Sequence, residues 1–195
     1  KEYQTDTIKY KLGVKKIDQD VQTLKSICKN NTSIKFRLDA NRNYTFEEFG
    51  VICKKLEGLN IDYFEEPIKN PNMEIFQEMK NQYNRNIAID ESLYDGSNYK
   101  SWLDKGLIDS IIIKPSILGS YKKIFDLCKI SRKNNTNIIC SSSLENSVGN
   151  MATIHIAATI NNNKEHGLNI YNFYDTINNP IYKKNQFFVN LEPLI

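Results

Sequence analysis

Short apolar runs alternate with amphipathic stretches along this chain at intervals of about two dozen residues, and that alternation restricts the folds open to it. Seven runs read as strands, over residues 7–12, 34–38, 61–64, 87–89, 110–113, 137–140 and 168–173. The stretches between them carry helix signals. The clearest opens at Thr45, where Thr45-x-x-Glu48 forms a capping box ahead of Phe46, Phe49, Ile52, Cys53 and Leu56 on one helical face. A second helix starts near Asp18 and places Val21, Leu24, Ile27 and Cys28 inward. A third follows Gly119-Ser120 with Ile124, Leu127 and Cys128, and a fourth runs from Ser147 through Met151, Ile154, Ala157 and Ala158. Strand, helix, strand repeated in this way demands parallel strands with right-handed crossovers, which leaves a doubly wound sheet or a βα barrel.

Polar groups at the strand ends separate the two. Lys11 lies at the end of the first run, and Asp39, Glu65, Asp90, Lys114 and Ser141 follow the next five. A doubly wound sheet gathers its ligand groups at one switch point, whereas a barrel brings every C-terminal strand end to one mouth. Six consecutive polar strand ends therefore favour a TIM-like (β/α) barrel. Neither a GxGxxG nor a P-loop sequence is present to support a nucleotide fold.

Composition narrows the classes further. With 195 residues, 40% hydrophobic and 25% charged, the chain suits one globular domain over 1–195 with a substantial core. No apolar run nears the roughly 18–20 residues that cross a bilayer, so no membrane partner is expected. The polar start, Lys1 to Asp6, carries no secretory pattern. The net charge of +3 is spread along the chain with no basic block, which argues against nucleic acid. Cys28, Cys53, Cys128 and Cys140 form no CxxC pair and fall within predicted helices or a strand. They read as buried free thiols of a reduced, cytoplasmic protein. Trp102, Tyr94 and Tyr99 read as packing on a helix or covering a loop.

Chemistry enters with Asp39, Glu65 and Asp90, spaced by 26 and 25 residues, one βα unit each. Singly, each would read as a helix-capping or solvated acid. On adjacent barrel strands the three converge, and three carboxylates suit a hard octahedral cation, Mg²⁺. His155 and His166 lie elsewhere in the sequence, which argues against zinc. Lys11 precedes Asp39 by 28 residues and Lys114 follows Asp90 by 24, so the two amines are expected to flank the carboxylates. A lysine beside a divalent cation loses proton affinity and can act as a general base, while the metal offsets the charge of an enediolate formed by removing a proton α to a carboxylate.

The sequences Lys9-Tyr10-Lys11-Leu12-Gly13, Leu38-Asp39-Ala40-Asn41, Phe64-Glu65-Glu66-Pro67, Asp90-Glu91-Ser92, Ile113-Lys114-Pro115 and Ser141-Ser142-Ser143-Leu144-Glu145 resemble, in order and spacing, the barrel domain of the enolase superfamily. Within it they look most like the o-succinylbenzoate synthases of menaquinone biosynthesis. The resemblance implies that Asp39, Glu65 and Asp90 hold Mg²⁺, with Glu66 turned the other way. Lys11 would remove the α-proton and later protonate the departing hydroxyl, with Lys9 adding charge. Lys114 would be the second acid/base lysine, Ser141 a contact for the substrate carboxylate, and Asn41 a further substrate-side contact. Superfamily members carry a capping domain ahead of the barrel. Relative to that pattern the sequence reads as the C-terminal barrel domain alone, without its first strand, so that a capping domain would come from upstream or in trans. The same lysine pair would also serve an N-acylamino acid racemase or dipeptide epimerase. A catalytically silent assembly module is the reading from outside the enzymes.

Overall fold

The structure is a computed structural model that describes residues 7–30, 33–160 and 164–168. These residues form two compact units: the described residues up to Ile111 with Ser131–Asn137, and Ile112–Ile130 with the described residues from Ile138 onward. The element order is β1 (Thr7–Lys11), α1 (Ile17–Asn30), β2 (Lys35–Asp39), α2 (Phe46–Lys55), β3 (Ile61–Glu65), α3 (Met73–Tyr83), β4 (Ile87–Ile89), a 3₁₀ turn (Glu91–Leu93), α4 (Tyr99–Asp104), β5 (Ser110–Ile113), α5 (Pro115–Leu118), α6 (Tyr121–Lys133), β6 (Asn137–Cys140) and α7 (Ser147–Ile160). Strands neighbour one another in chain order, β1-β2-β3-β4-β5 in the first unit and β5-β6 in the second. The pairings from β1 to β5 are all parallel. Sequential order with no reversal is the arrangement of a (β/α) barrel and lacks the switch point of a doubly wound sheet. Six of the seven predicted strands are present. The seventh, 168–173, lies outside the described residues apart from Leu168, and Gly167 makes a parallel bridge to Ser141.

Strand register sorts the side chains. Tyr10, Leu38, Phe64 and Ile87 are partners across β1 to β4, and Leu38, Phe64 and Ile87 are fully buried. Phe64 meets Phe49 of α2 edge-on, with ring centroids 5.1 Å apart. Each such side chain contributes about 1.5–3 kcal/mol by leaving water. Because side chains alternate, the next row, Lys11, Asp39, Glu65 and Ala88, turns to the opposite face. The hydrophobic pattern that seats the helices on one face thus delivers charged groups to the other.

The helix signals hold. Thr45 caps α2 reciprocally, its Oγ1 taking the Glu48 N–H while Glu48 Oε2 takes the Thr45 N–H at 2.9 Å. Trp102 of α4 packs edge-on against Phe76 of α3 and is buried. Cys53, Cys128 and Cys140 are buried and Cys28 half-buried, all four with free thiols. Among the described residues no helix is long and apolar enough to cross a membrane.

Candidate active site

Asp39 and Glu65 are the last residues of β2 and β3 and stand in register with Lys11, the last residue of β1. Asp90 follows β4 directly, two positions beyond Ala88, the register partner of Glu65. All three carboxyl-bearing residues are buried, at 3%, 0% and 3% exposure for Asp39, Glu65 and Asp90. Lys9, two residues back on the face of Lys11, extends its ammonium to 3.0 Å from Asp39 Oδ2 and 2.8 Å from Glu65 Oε2. Lys11 Nζ lies 3.5 Å from Asp39 Oδ2 and donates to Asn41 Oδ1 at 2.6 Å, with its side chain 59% exposed.

The electrostatics follow from this crowding. Burial pushes the Glu65 carboxyl well above the usual carboxylate range; Lys9 pulls it back, and the Asp39 and Asp90 charges push it up again. Burial lowers the proton affinity of Lys9, but Glu65 and Asp39 outweigh it and hold the ammonium above its ordinary value. Among the described residues no three His, Cys, Asp or Glu side chains are closed up into a metal cluster. Asp39 and Glu65 are instead drawn together by the Lys9 ammonium.

The donor set still fits a hard divalent cation. It consists of buried carboxylate oxygens with no thiolate or imidazole, and Asp39 Oδ2 and Glu65 Oε2 already share one cation, the Lys9 ammonium, at 3.0 and 2.8 Å. Asn41 ties the surrounding loops: its N–H reaches Asp39 Oδ1 at 3.2 Å and its Nδ2 donates to Glu91 Oε1 at 2.8 Å. Glu66 takes partners separate from those of Glu65, consistent with the alternation expected of the Glu-Glu pair. Those partners, Arg42 and Ser92, were not among the residues expected from the sequence. The signals that could have found them are their positions, Arg42 three residues beyond Asp39 and Ser92 two beyond Asp90, within the Asp90-Glu91-Ser92 stretch.

Lys114 and Ser141 belong to the second unit. Lys114 occupies the N-cap position of α5, ahead of Pro115 at its first turn. Ser141 follows β6, its N–H bonded to the Ile113 carbonyl at 2.9 Å and its Oγ donating to the Ser142 carbonyl at 3.4 Å. The adjacent Ser142 and Ser143 both donate to Glu145. His166, set aside as a metal ligand, uses Nδ1 to accept the Cys140 N–H at 2.9 Å.

Strand ends bearing acids and lysines on sequential parallel strands define a (β/α)-barrel enzyme class, and comparison with known proteins narrows it. Residues 1–191 match the model of the enolase C-terminal domain-like family, and the chain belongs to that family. Among curated relatives it is 29% identical over 159 residues to a hydrophobic dipeptide epimerase of Enterococcus faecalis, covering 80% of this chain and 45% of that protein. It is 25% identical over 172 residues to an o-succinylbenzoate synthase of Pasteurella multocida, covering 86% of this chain and 50% of that one. The crystal structure of a dipeptide epimerase from Enterococcus faecalis superposes with a TM-score of 0.74 at 28% identity, covering 84% of this chain and 48% of that chain. The chain thus spans about half the length of the curated relatives it matches.

Proposed function

We propose that this chain carries the proton-transfer chemistry of a Mg²⁺-dependent lyase of the o-succinylbenzoate synthase type, acting in the cytoplasm in menaquinone biosynthesis. The observation that carries the reading is the row Lys11, Asp39, Glu65 at neighbouring strand ends, with Asp90 beside it. Asp39, Glu65 and Asp90 would hold the cation, which when bound supplies positive charge to a substrate carboxylate and lowers the cost of its enolate. Lys11 would do the proton work. It is the more exposed of the paired lysines, and Asn41 fixes its direction. As the free amine, Lys11 takes the proton α to the carboxylate of 2-succinyl-6-hydroxy-2,4-cyclohexadiene-1-carboxylate. It returns that proton to the departing hydroxyl on the same face, so that o-succinylbenzoate and water leave. Lys9 adds positive charge, Lys114 stabilises enolate charge, and Ser141 and Asn41 contact the substrate.

A second reading is 1,1-proton transfer on a dipeptide or N-acylamino acid, favoured by the 29% identity to the dipeptide epimerase. It requires both Lys11 and Lys114 to move protons, whereas dehydration requires only Lys11. Incubation in D₂O with Mg²⁺ separates the two. Dehydration gives loss of the diene absorbance, abolished by Lys11→Ala and reduced but retained in Lys114→Ala. Epimerisation gives deuterium at the α-carbon of an N-succinyl amino acid or dipeptide, and neither lysine is dispensable for the full exchange. Absence of both reactions, with no Mg²⁺ response, would leave the silent assembly module.

A further inference from the structure

Glu66 is almost completely buried, and its two carboxylate oxygens are taken by four donors. Oε1 accepts the N–H groups of Asp90 at 3.0 Å and Ser92 at 2.7 Å; Oε2 accepts Ser92 Oγ at 3.0 Å and Arg42 Nε at 2.9 Å. Arg42 spends its other arm on the same neighbourhood, donating from Nη2 to Ser92 Oγ at 2.8 Å and pairing with Asp95 Oδ2 at 2.7 Å. The backbone adds the Arg42 N–H to the Glu66 carbonyl at 2.6 Å and the Glu66 N–H to the Ala88 carbonyl at 3.0 Å. One ion pair, between buried Glu66 and half-buried Arg42, therefore touches the segments that follow β2, β3 and β4, the three that present Asp39, Glu65 and Asp90.

The local backbone calls for such support. Asn41, Arg42 and Glu66 have φ of 42°, 59° and 40°, the left-handed region that side-chain-bearing residues avoid; Glu66 directly follows Glu65, and Asn41 and Arg42 come two and three residues after Asp39. Asp90 itself sits at φ −127°, ψ −74°, with no cap bond from its own side chain to the turn that follows. The Glu66 bonds to the N–H groups of Asp90 and Ser92 bracket that turn and fix the direction in which the Asp90 side chain leaves the chain. Burying the Glu66 charge is a poor device for stability alone, since apolar groups of the same volume do as well. Hydrogen bonds aimed at the main chain of a ligand-bearing segment set geometry instead.

We propose that Glu66 and Arg42 form a clamp that positions Asp39, Glu65 and Asp90 for a divalent cation. Glu66 acts through the backbone of Asp90, and Arg42 through the segment after Asp39. Neither is a catalytic residue, and the clamp rests on the reading of those three carboxylates as the cation's ligands.

The test is calorimetric titration of MgCl₂ into the full chain, well below its melting temperature, for the parent, Glu66→Gln, Arg42→Met and Ser92→Ala. Changes behind a ligand typically cost about 10- to 100-fold in metal affinity. The expected result is one Mg²⁺ per chain in the parent, a Kd raised tenfold or more by Glu66→Gln and Arg42→Met, and a Kd raised about threefold by Ser92→Ala, which removes one donor. A purely structural pair would lower the metal-free melting temperature and leave the Kd of the folded protein unchanged. Kd values within twofold of a binding parent overturn the clamp and leave the proposed function standing; a parent that binds no Mg²⁺ overturns both. If Glu66→Gln or Arg42→Met does not fold, Ser92→Ala decides, and an unchanged Kd there overturns the clamp.

Discussion

Glu145 gathers hydrogen bonds from Ser142 Oγ at 2.5 Å, the Ser143 N–H at 3.0 Å, Ser143 Oγ at 2.9 Å and Ser116 Oγ at 3.0 Å. Burial pushes its carboxyl up, but the bonds from Ser142 and Ser143 outweigh it and leave the group at about 2, against an ordinary value of 4.5. A carboxyl depressed on folding contributes stability that is complete above the unfolded value and disappears as pH falls through the folded one. The contribution is therefore full at pH 6 and is lost between about pH 4.5 and pH 2. Glu145→Gln should melt below the parent at pH 6, and the two curves should converge towards pH 2. A gap in melting temperature that stays constant over that range would contradict the assignment. At this scale the sequence reveals the placement of some residues and hides that of others. Asp39, Glu65 and Asp90 are legible because each ends or directly follows a strand and recurs at the period of a βα unit. Glu66 and Arg42 are not, because their partnership runs between loops of positive φ, where no periodicity applies.

The strand carrying Lys9 and Lys11 is held from its other face. Tyr10, between the two lysines, donates its hydroxyl to Asp20 Oδ1 at 2.8 Å, and the Gly13 N–H reaches Asp20 Oδ2 at 3.0 Å. Asp20 is buried on α1, so one helix side chain fastens both the middle of β1 and the turn after it. Gly13 is required in that turn: its φ is +77°, and a Cβ there would come within 2.9 Å of Asn43 Nδ2. Asp20→Ala takes the acceptor from two part-buried donors and should cost about 1–2 kcal/mol in urea unfolding, while Tyr10→Phe, which removes one donor along with its need, should cost about 1 kcal/mol or less. Equal, negligible losses would show that β1 is held by its pairing with β2 alone. Elements with a strong period or cap were readable in advance, α2 through its Thr45-x-x-Glu48 box above all. Helices α3, α4 and α5 were not. The buried residues of α3, Phe76 and Met79, are separated by polar ones, α4 has six residues and no side-chain cap, and α5 is a four-residue turn behind Lys114-Pro115. Packing against the strands, more than local preference, holds such short segments.

All three proposed cation ligands, with Lys9, Lys11 and Asn41, fall in the first unit, so cation binding should require no side chain of the second. Burial first, and then the neighbouring Asp39 and Asp90 charges, push the Glu65 carboxyl up against the pull of Lys9, so a further cation at these carboxylates would be favoured. A divalent cation that binds only the folded chain stabilises it by mass action, about 2.7 kcal/mol when present at 100 times its Kd. For a chain of this length that corresponds to a rise in melting temperature of roughly 5–10 °C. The rise should appear with millimolar MgCl₂ and vanish in Asp39→Asn. It should exceed that given by NaCl at matched ionic strength, since screening of surface charges acts equally in both salts. Hydrogen exchange should slow at the ends of β2, β3 and β4 on adding Mg²⁺, because opening those segments would then require release of the ion. A melting curve that responds to MgCl₂ no more than to NaCl would mean that the Lys9 ammonium is the resident cation of these carboxylates, and the metal-dependent reading would fall with it.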